Sequence, residues 1–322
     1  MKKFIRKTTF AISALFLLAA SGHAATPIPK QIKIIVPFSA GASNDSIARV
    51  IAPQLGEKLK TSVIVENRAG AAGVIGSDYV AKAPKDGSVL LLNSSTFVTS
   101  AATQPTLPYD AIKSFIPVAM VGQGPLVVAV SAEKPYQSLA ELLDAARANP
   151  KELNYGSAGV GSLAHLASTL LSDAANVDIT HVPYKGSANA AADLAGGRID
   201  LMLANYSSMA SLLPTGKVKL VATTAPGKHP AFPQLPSAAE TVPGYDVDIW
   251  VGVFAPAGTP EDLVDVLNKS INEISRSRQL TALLDMDGTV PSALSSAEFA
   301  KRVATDLDRW KALAKEHDIT AN

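Results

Sequence analysis

Short apolar runs alternate with longer segments of helical period along most of this chain, and this alternation constrains the fold more than any other feature. The runs "IKIIVPF" (32–38), "SVIVENR" (62–68) and "SVLLLN" (88–93) are typical of buried parallel strands. Between the first two, one face of a predicted helix carries Ile47, Val50, Ile51, Leu55 and Leu59. Strand, helix, strand, helix, strand is the order of a doubly wound α/β sheet.

The same order begins again in the second part of the chain. "LVVAV" (126–130) predicts a strand, and a helix follows over residues 138–149. Further strands are predicted at 153–157, 179–183, 199–204 and 218–224. A chain with 47% apolar and 18% charged residues fits compact α/β layers rather than disorder. The sequence therefore predicts two α/β units.

Two long apolar segments predict how these units are joined. The segment 115–130 is interrupted by Gly122, Gly124 and Pro125, and the segment 245–260 follows the second unit. If the chain crosses between units at both places, residues 25–124 and 249–322 form one lobe and residues 125–248 form the other. Two crossovers with small or flexible residues are typical of a hinge.

The C-terminal part is predicted to be helical and to carry no chemistry. One helix begins at "TPED", with Thr259 as the N-cap and Pro260 as the first helical residue. A last amphipathic helix extends from about Ser296 to about Glu316. Its charged residues are expected to form a solvated face, and they include Asp306, Asp308 and Arg309.

The first 24 residues have the pattern of a cleaved secretory leader. A basic start, the apolar run "FAISALFLLAA" and the small residues Gly22 and Ala24 occur in that order. We therefore expect cleavage near Ala24 and a periplasmic protein. Removal of four basic residues leaves a net charge of about −3 without a basic block, which argues against a nucleic-acid partner. The chain has no cysteine, which excludes disulfides and thiolate metal sites.

Two loops between a strand and a helix are suited to an anion. Residues 39–45 and "GSAGVGS" (156–162) lie where loops leave the carboxyl ends of strands, and helix N-termini there offer free N–H groups. Facing each other across a cleft, the two loops would hold an anion from both sides. Asp45 has two interpretations, since it either stabilises the first helical turn or receives a donor group of the ligand.

Two other strand ends predict further contacts with the same cleft. Tyr184 and Lys185 follow the strand at 179–183, on a turn that Gly186 permits, and Asn205 follows the strand at 199–204. The alternative for Tyr184 and Lys185 is an ordinary connection between a strand and a helix. Both interpretations remain open at this point.

Motifs for catalysis, metal binding and cofactor binding are weak or absent. Gly159, Gly161 and Ala164 make a G-x-G-x-x-A pattern, but the next strand ends in "HVPYKG" without the acid that would hold a ribose, so no cofactor is expected. There is no G-x-S-x-G elbow, no Walker lysine and no H-E-x-x-H. After the leader the spacing of the histidines indicates no metal site: His165, His181, His229 and His317. A Ser–His–acid set assembled in space remains the rival interpretation, an exported hydrolase.

Seven ordered stretches resemble the extracytoplasmic substrate-binding receptors of tripartite tricarboxylate transporters, also called Bug proteins. They span nearly the whole chain after the leader: "IKIIVPFSAGASNDSIAR", "VIVENRAGAAGVIGSDYVAKAPKDG", "LPYDAIKSFIPVAMVG", "LNYGSAGVGSLAHL", "HVPYKGSANAAADLAGGRIDLML", "WVGVFAPAGTP" and "EFAKRVATDLDRW". The resemblance implies a two-lobed periplasmic-binding-protein fold, or Venus flytrap, in which each lobe is a mostly parallel doubly wound sheet flanked by helices. It also implies a monomer that is not an enzyme.

The resemblance further implies how the protein works and which residues it uses. Members capture a small carboxylate in the cleft and deliver it to the membrane permease subunits of a tripartite transporter. Carried onto this chain, the first loop contributes Phe38, Ser39, Ala42, Ser43 and Asp45. The second loop contributes Ser157, Ala158, Gly161, Ser162 and His165, and Tyr184 and Lys185 match the family turn "PYKG".

This chain departs from the family pattern at two places near the predicted site. Ala42 follows Gly41 where the family usually has a second glycine, and Ala190 stands where it usually has a proline. The methyl group of Ala42 would lie close to the ligand carboxylate. A receptor that passes its signal to a sensor protein, rather than its ligand to a permease, would have the same sequence features.

Overall fold

A computed structural model describes residues 26–321. The predicted leader, 1–24, lies outside the described residues. Within residues 26–321, none of the helices is both long enough and apolar enough to cross a membrane. The strands are β1 (Gln31–Val36), β2 (Ser62–Asn67), β3 (Val89–Ser94), β4 (Phe115–Pro125), β5 (Val127–Ser131), β6 (Asn154–Ser157), β7 (Thr180–Pro183), β8 (Leu201–Ala204), β9 (Val218–Thr223), β10 (Asp248–Pro256) and β11 (Val290–Pro291).

Helices lie between most of these strands, and two short 3₁₀ turns occur at Ala71–Gly73 and Leu213–Thr215. The helices are α1 (Ser43–Leu59), α2 (Val74–Ala81), α3 (Thr96–Thr103), α4 (Leu139–Ala148), α5 (Leu163–Ala175), α6 (Ser187–Ala195), α7 (Tyr206–Met209), α8 (Ala238–Thr241), α9 (Glu261–Ser275), α10 (Arg278–Asp285) and α11 (Ser296–Glu316).

The strands form two sheets, which confirms the two-lobed α/β prediction. The order of the first sheet is β11-β4-β10-β3-β1-β2, and the order of the second is β7-β6-β8-β5-β9. Both are mixed rather than mostly parallel. In the first sheet β1 is parallel to β2 and β3, but β10 is antiparallel to β3 and β4. In the second, β6 is parallel to β7 and β8, but β5 is antiparallel to β8 and β9.

The two crossovers explain the antiparallel part of the first sheet. Strand β4 leads the chain out of that sheet and β10 brings it back, so the two lie side by side in opposite directions, from Asp248 opposite Pro125 to Pro256 opposite Phe115. The proposed lobe boundaries, 124/125 and 248/249, therefore lie next to each other. A hinge at this pair of strands would bend at a single place.

The glycines of β4 serve close packing rather than flexibility. The strand continues through Gly122 and Gly124 to Pro125, so the chain is not interrupted where the sequence predicted. A Cβ on Gly122 would lie 2.8 Å from the carbonyl oxygen of Val290, and one on Gly124 would lie 2.8 Å from Cα of Thr289. Both positions must be glycine because residues 289 and 290, at the start of β11, pack too closely to leave room for a side chain.

Both faces of the first sheet are buried, which explains its continuous apolar runs. Neighbouring residues Ile34 and Ile35 are both fully buried, and they belong to different apolar clusters. The cluster that contains Ile35 continues into the second sheet through Val128 and Val130 of β5. Alternate side chains of one strand therefore bind helices on opposite sides of the sheet.

The predicted solvated face of the last helix is wrong at Asp306. The helix has the predicted bounds, but Asp306 is 8% exposed and accepts hydrogen bonds from Nε1 of Trp250 (2.8 Å) and Nε of Arg302 (2.9 Å). Burial raises the pKa of the Asp306 carboxyl group, although Arg302 opposes this. Arg302 also pairs with Asp248 at the start of β10. The C-terminal helix is thereby joined to the returning crossover.

The start of α9 also differs by one residue from the prediction. Pro260 is the N-cap and the helix begins at Glu261, while the hydroxyl of Thr259 donates to the carbonyl of Pro256 (2.8 Å). The threonine hydroxyl therefore closes the turn after β10 instead of capping the helix.

Candidate functional site

A cavity of about 530 Å³ lies between loops of the two sheets. It is bordered by the start of α1 and of α3 on the first lobe and by the start of α5 and of α6 on the second. Helix N-termini present unpaired N–H groups and a partial positive charge. The lining consists of Phe38, Ser39, Ala42, Ala72, Thr96, Ser100, Thr103, Gln104, Ala158, Val160, Gly161, Ser162, Gly186, Ser187 and Ala321.

The first loop, residues 38–45, leads from β1 into α1. Ala42 occupies the N-cap in an extended conformation, and no side chain caps the helix. Among the residues that the structure describes, the N–H groups of Ser43 and Asn44 have no hydrogen-bond acceptor. Gly41 has a φ of +83°, which favours glycine and brings its N–H group back towards the helix. This helix start is therefore open to an anion.

Asp45 holds the shape of the first loop. Its side chain is 3% exposed and accepts hydrogen bonds from the N–H of Gly41 (2.8 Å), Nε of Arg49 (2.9 Å) and Nδ2 of Asn67 (2.9 Å). The Arg49 guanidinium, helped by the Gly41 and Asn67 bonds, lowers the pKa of this carboxyl group to about 2 against the cost of burial. Three protein donors thus occupy the carboxylate, which supports the first of its two interpretations.

The second loop, residues 156–162, leads from β6 into α5. The hydroxyl of Ser162 accepts from the N–H of His165 (3.3 Å) as the N-cap, and the N–H of Gly161 donates to Nδ1 of His165 (3.1 Å). Because Nδ1 accepts, the proton of the neutral ring lies on Nε2. A Cβ on Gly161 would lie 2.3 Å from Oγ1 of Thr103, so this loop needs glycine to approach α3.

Two stacked histidines pack against the second loop and bind it without lining the cavity. The ring centroids of His165 and His181 are 3.7 Å apart, and Nε2 of His181 lies 2.7 Å from Oγ of Ser157. Burial lowers the pKa of His165 to about 3 and that of His181 to about 4, so both rings are neutral at pH 7. His165 thus shapes the loop and does not line the cavity.

The Ser157–His181 pair has the spacing of a nucleophile and a base, but the rest of a hydrolase site is missing. Ser157 is fully buried, and its Oγ also bonds to the N–H (3.1 Å) and the carbonyl (3.0 Å) of Gly159. Within residues 26–321, no carboxylate is hydrogen-bonded to His181. Without an orienting acid or access to substrate, the pair stabilises the loop.

The remaining predicted residues do not line this cavity. The hydroxyl of Tyr184 donates to Asp193 (2.8 Å), and Lys185 is exposed beside Gly186 but does not line the cavity. Ser43 and Asn205 lie together in a second, smaller cavity of about 40 Å³. The structure therefore brings Phe38, Ser39, Ala42, Ala158, Gly161 and Ser162 into one cavity.

Several lining residues were not predicted from the sequence. Thr96, Ser100 and Thr103 follow one another along one face of α3, a spacing of four and three residues that was visible in the sequence. The 3₁₀ turn contributes Ala72, and the C-terminal residues return to contribute Ala321. No local pattern indicates these last two, because Ala72 lies 30 residues after Ala42 and Ala321 lies 134 residues after Ser187.

Comparison with known proteins places this geometry among solute receptors. Residues 47–319 match the family described as "Tripartite tricarboxylate transporter family receptor". Protein BugT of Bordetella pertussis is 33% identical over 302 residues, which cover 93% of each chain. A protein of R. palustris solved with adipate is 35% identical, with a TM-score of 0.79 and coverage of 90% of this chain and 98% of that one. The periplasmic binding protein BugD is 30% identical, with a TM-score of 0.77 and coverage of 92% and 100%.

Proposed function

This chain belongs to the tripartite tricarboxylate transporter receptor family, and from that premise we propose that it captures a small carboxylate between its two lobes in the periplasm. It is a receptor and not an enzyme. The observation that carries the proposal is the cavity onto which the starts of α1, α5 and α6 open from both lobes. Free N–H groups at helix starts are suited to a carboxylate.

The proposed site holds the anion without a cationic side chain. None of the residues that line the cavity is charged, so N–H groups, hydroxyls and water molecules supply the hydrogen bonds. The lining includes Ser39 and Ala42 of the first loop and Ser162 of the second. A ligand held in this way is released readily when the lobes separate, because no ion pair has to be broken.

The adjacent crossovers supply the proposed hinge for capture and release. Bending at β4 and β10 would move the second loop relative to the first and exclude water from the ligand. The proposed partners are the membrane permease subunits of a tripartite transporter, which would receive the ligand from the monomeric receptor. The adipate-bound relative of R. palustris supports a carboxylate ligand.

Calorimetric titration of the purified protein tests this function. We expect at least one member of a panel of mono-, di- and tricarboxylates and amino acids to bind at one site per chain. The double variant Ser39→Ala with Ser162→Ala should bind the same ligand at least tenfold more weakly and remain folded, because both serines line the cavity and precede a helix. Turnover of any panel member, or no binding across the panel, would contradict the proposal.

A further inference from the structure

One side of the cavity has few groups that could bind a second carboxylate of the ligand. This side, the α3 wall, consists of Ala72, Ser100, Thr103, Gln104 and Ala321. None of these side chains is charged. The wall lies against the second loop, since a Cβ on Gly161 would be 3.1 Å from Cβ of Ala321.

Three of the four side-chain donors of the α3 wall are already used in hydrogen bonds to the backbone. The hydroxyl of Ser100 donates to the carbonyl of Ala72 (3.1 Å), and that of Thr103 donates to the carbonyl of Thr99 (2.8 Å). Nε2 of Gln104 donates to the carbonyl of Ala71 (3.4 Å). A carboxylate placed here would therefore find one side-chain donor, the second N–H of Gln104, among oxygen atoms and methyl groups.

Apolar groups fill much of the remaining surface beside this wall. The N–H of Ala321 donates to the carbonyl of Thr103 (2.9 Å), which fixes the C-terminal segment against α3, where Ala321 lines the cavity. Val160 of the second loop is 41% exposed and lines the same cavity. Val160 therefore adds an apolar side chain to the lining on this side of the cavity.

The basic residue next to the lining residues of α6, Lys185, does not add a positive charge to the cavity lining. Lys185 precedes Gly186 and Ser187, which border the cavity at the start of α6, on the second lobe. It is exposed and does not line the cavity. The donors for an anion are therefore gathered at the helix starts, and the α3 wall is left for the other end of the ligand.

From this polarised lining we infer that the ligand is a monocarboxylate whose far end is uncharged and apolar, and that the α3 wall selects it. The inference rests on the proposed function. Burying a second carboxylate beside a single side-chain donor and no cation is unfavourable, whereas each buried methylene favours binding by about fourfold. Adipate carries a carboxylate at each end, so the inference separates this chain from the relative solved with it.

Matched ligand pairs test the inference by calorimetry on the full wild-type chain. Hexanoate and adipate have the same number of carbons, and benzoate and terephthalate have the same ring. We expect each monoacid to bind at least tenfold more tightly than its diacid, and affinity to rise about fourfold per methylene from butyrate to hexanoate. Equal or tighter binding of the diacids would overturn the inference and leave the proposed function intact. Failure of every carboxylate to bind would overturn both.

A charge placed on the α3 wall tests the assignment of that wall. Gln104→Lys should shift the ratio of adipate to hexanoate affinity at least tenfold towards adipate. Gln104→Met, which has a similar length and no charge, should keep the wild-type ratio. Ala72→Lys, at an exposed position, gives the same test if the first variant does not fold. If the lysine and methionine variants have the same ratio, the wall does not select the ligand.

Discussion

The first and second loops present the same feature, an open helix start, but different chemistry holds each in shape. In the first loop an ionised carboxylate, Asp45, binds an N–H group, an amide and a guanidinium. In the second loop neutral imidazoles, His165 and His181, stack and bind the loop backbone and Ser157. Neither arrangement leaves a net charge facing the cavity. The N–H groups at the helix starts must therefore attract the anion.

Because of this difference, the two loops should lose their stabilising contacts in different ranges of pH. The histidines should have the largest effect on the free energy of unfolding. Their folded pKa values, about 3 and about 4, lie below the ordinary value of 6.5. Between pH 6.5 and 4 the unfolded chain therefore binds more protons, and stability falls as the pH falls. From pH 7 to 5 each histidine should lower the free energy of unfolding by about 2 kcal/mol.

Urea unfolding at pH 7 and pH 5 measures this loss. His165→Asn and His181→Asn should each remove about 2 kcal/mol of the pH-dependent loss. Asp45→Asn is the matched control from the other loop, because the carboxylate has a pKa of about 2 when folded and 3.8 as its ordinary value, both below this range. If the histidine variants keep the wild-type dependence, the second loop is not held by neutral imidazoles.

Removal of the Asp45 carboxylate should have the next largest effect. Asp45→Ala leaves the N–H of Gly41 without its acceptor and frees Asn67 and Arg49, which should lower the free energy of unfolding by about 2–3 kcal/mol. The open start of α1 depends on that loop, so carboxylate affinity should also fall at least tenfold.

Arg49→Ala is the comparison for that variant. The arginine side chain is 53% exposed, so its loss should lower the free energy of unfolding much less than loss of the carboxylate does. A cost equal to that of Asp45→Ala would mean that the ion pair, and not the bonds to Gly41 and Asn67, shapes the first loop. Chemical unfolding and ligand titration of both variants distinguish these outcomes.

The smallest expected effect separates capping from binding in the second loop. Ser162 caps α5 and Ser138 caps α4, and each hydroxyl accepts from the N–H three residues later. Replacement of either by alanine should cost about 1 kcal/mol of stability. Only Ser162→Ala should also weaken carboxylate binding, because Ser138 does not line the cavity. Equal loss of affinity in both variants would exclude a direct role of Ser162.

The alternation of strands and helices and several site residues were predictable, because they follow from local patterns. The last helix has its predicted ends, where Ser295 and Glu298 form a capping box. Two lobes follow from two crossovers, but the mixed sheets do not, since the pairing of β4 with β10 joins segments far apart in the chain.

The predictions from sequence were wrong or incomplete where the environment of a residue depends on a partner far away in the chain. Asp306 looked solvated because its partner Trp250 lies 56 residues away. The Ser157–His181 pair joins neighbouring strands separated by a helix, and Ala321 reaches the cavity only because α11 returns to α3. Local spacing carries no information on such contacts.

A crystal structure with a bound carboxylate tests the central claim most directly. The account predicts that the carboxylate lies between the first and second loops, within about 3 Å of N–H groups at the starts of α1 and α5. It also predicts that no lysine or arginine side chain contacts the carboxylate. A carboxylate bound to Lys185, or one bound outside the cavity between the two lobes, would contradict the account.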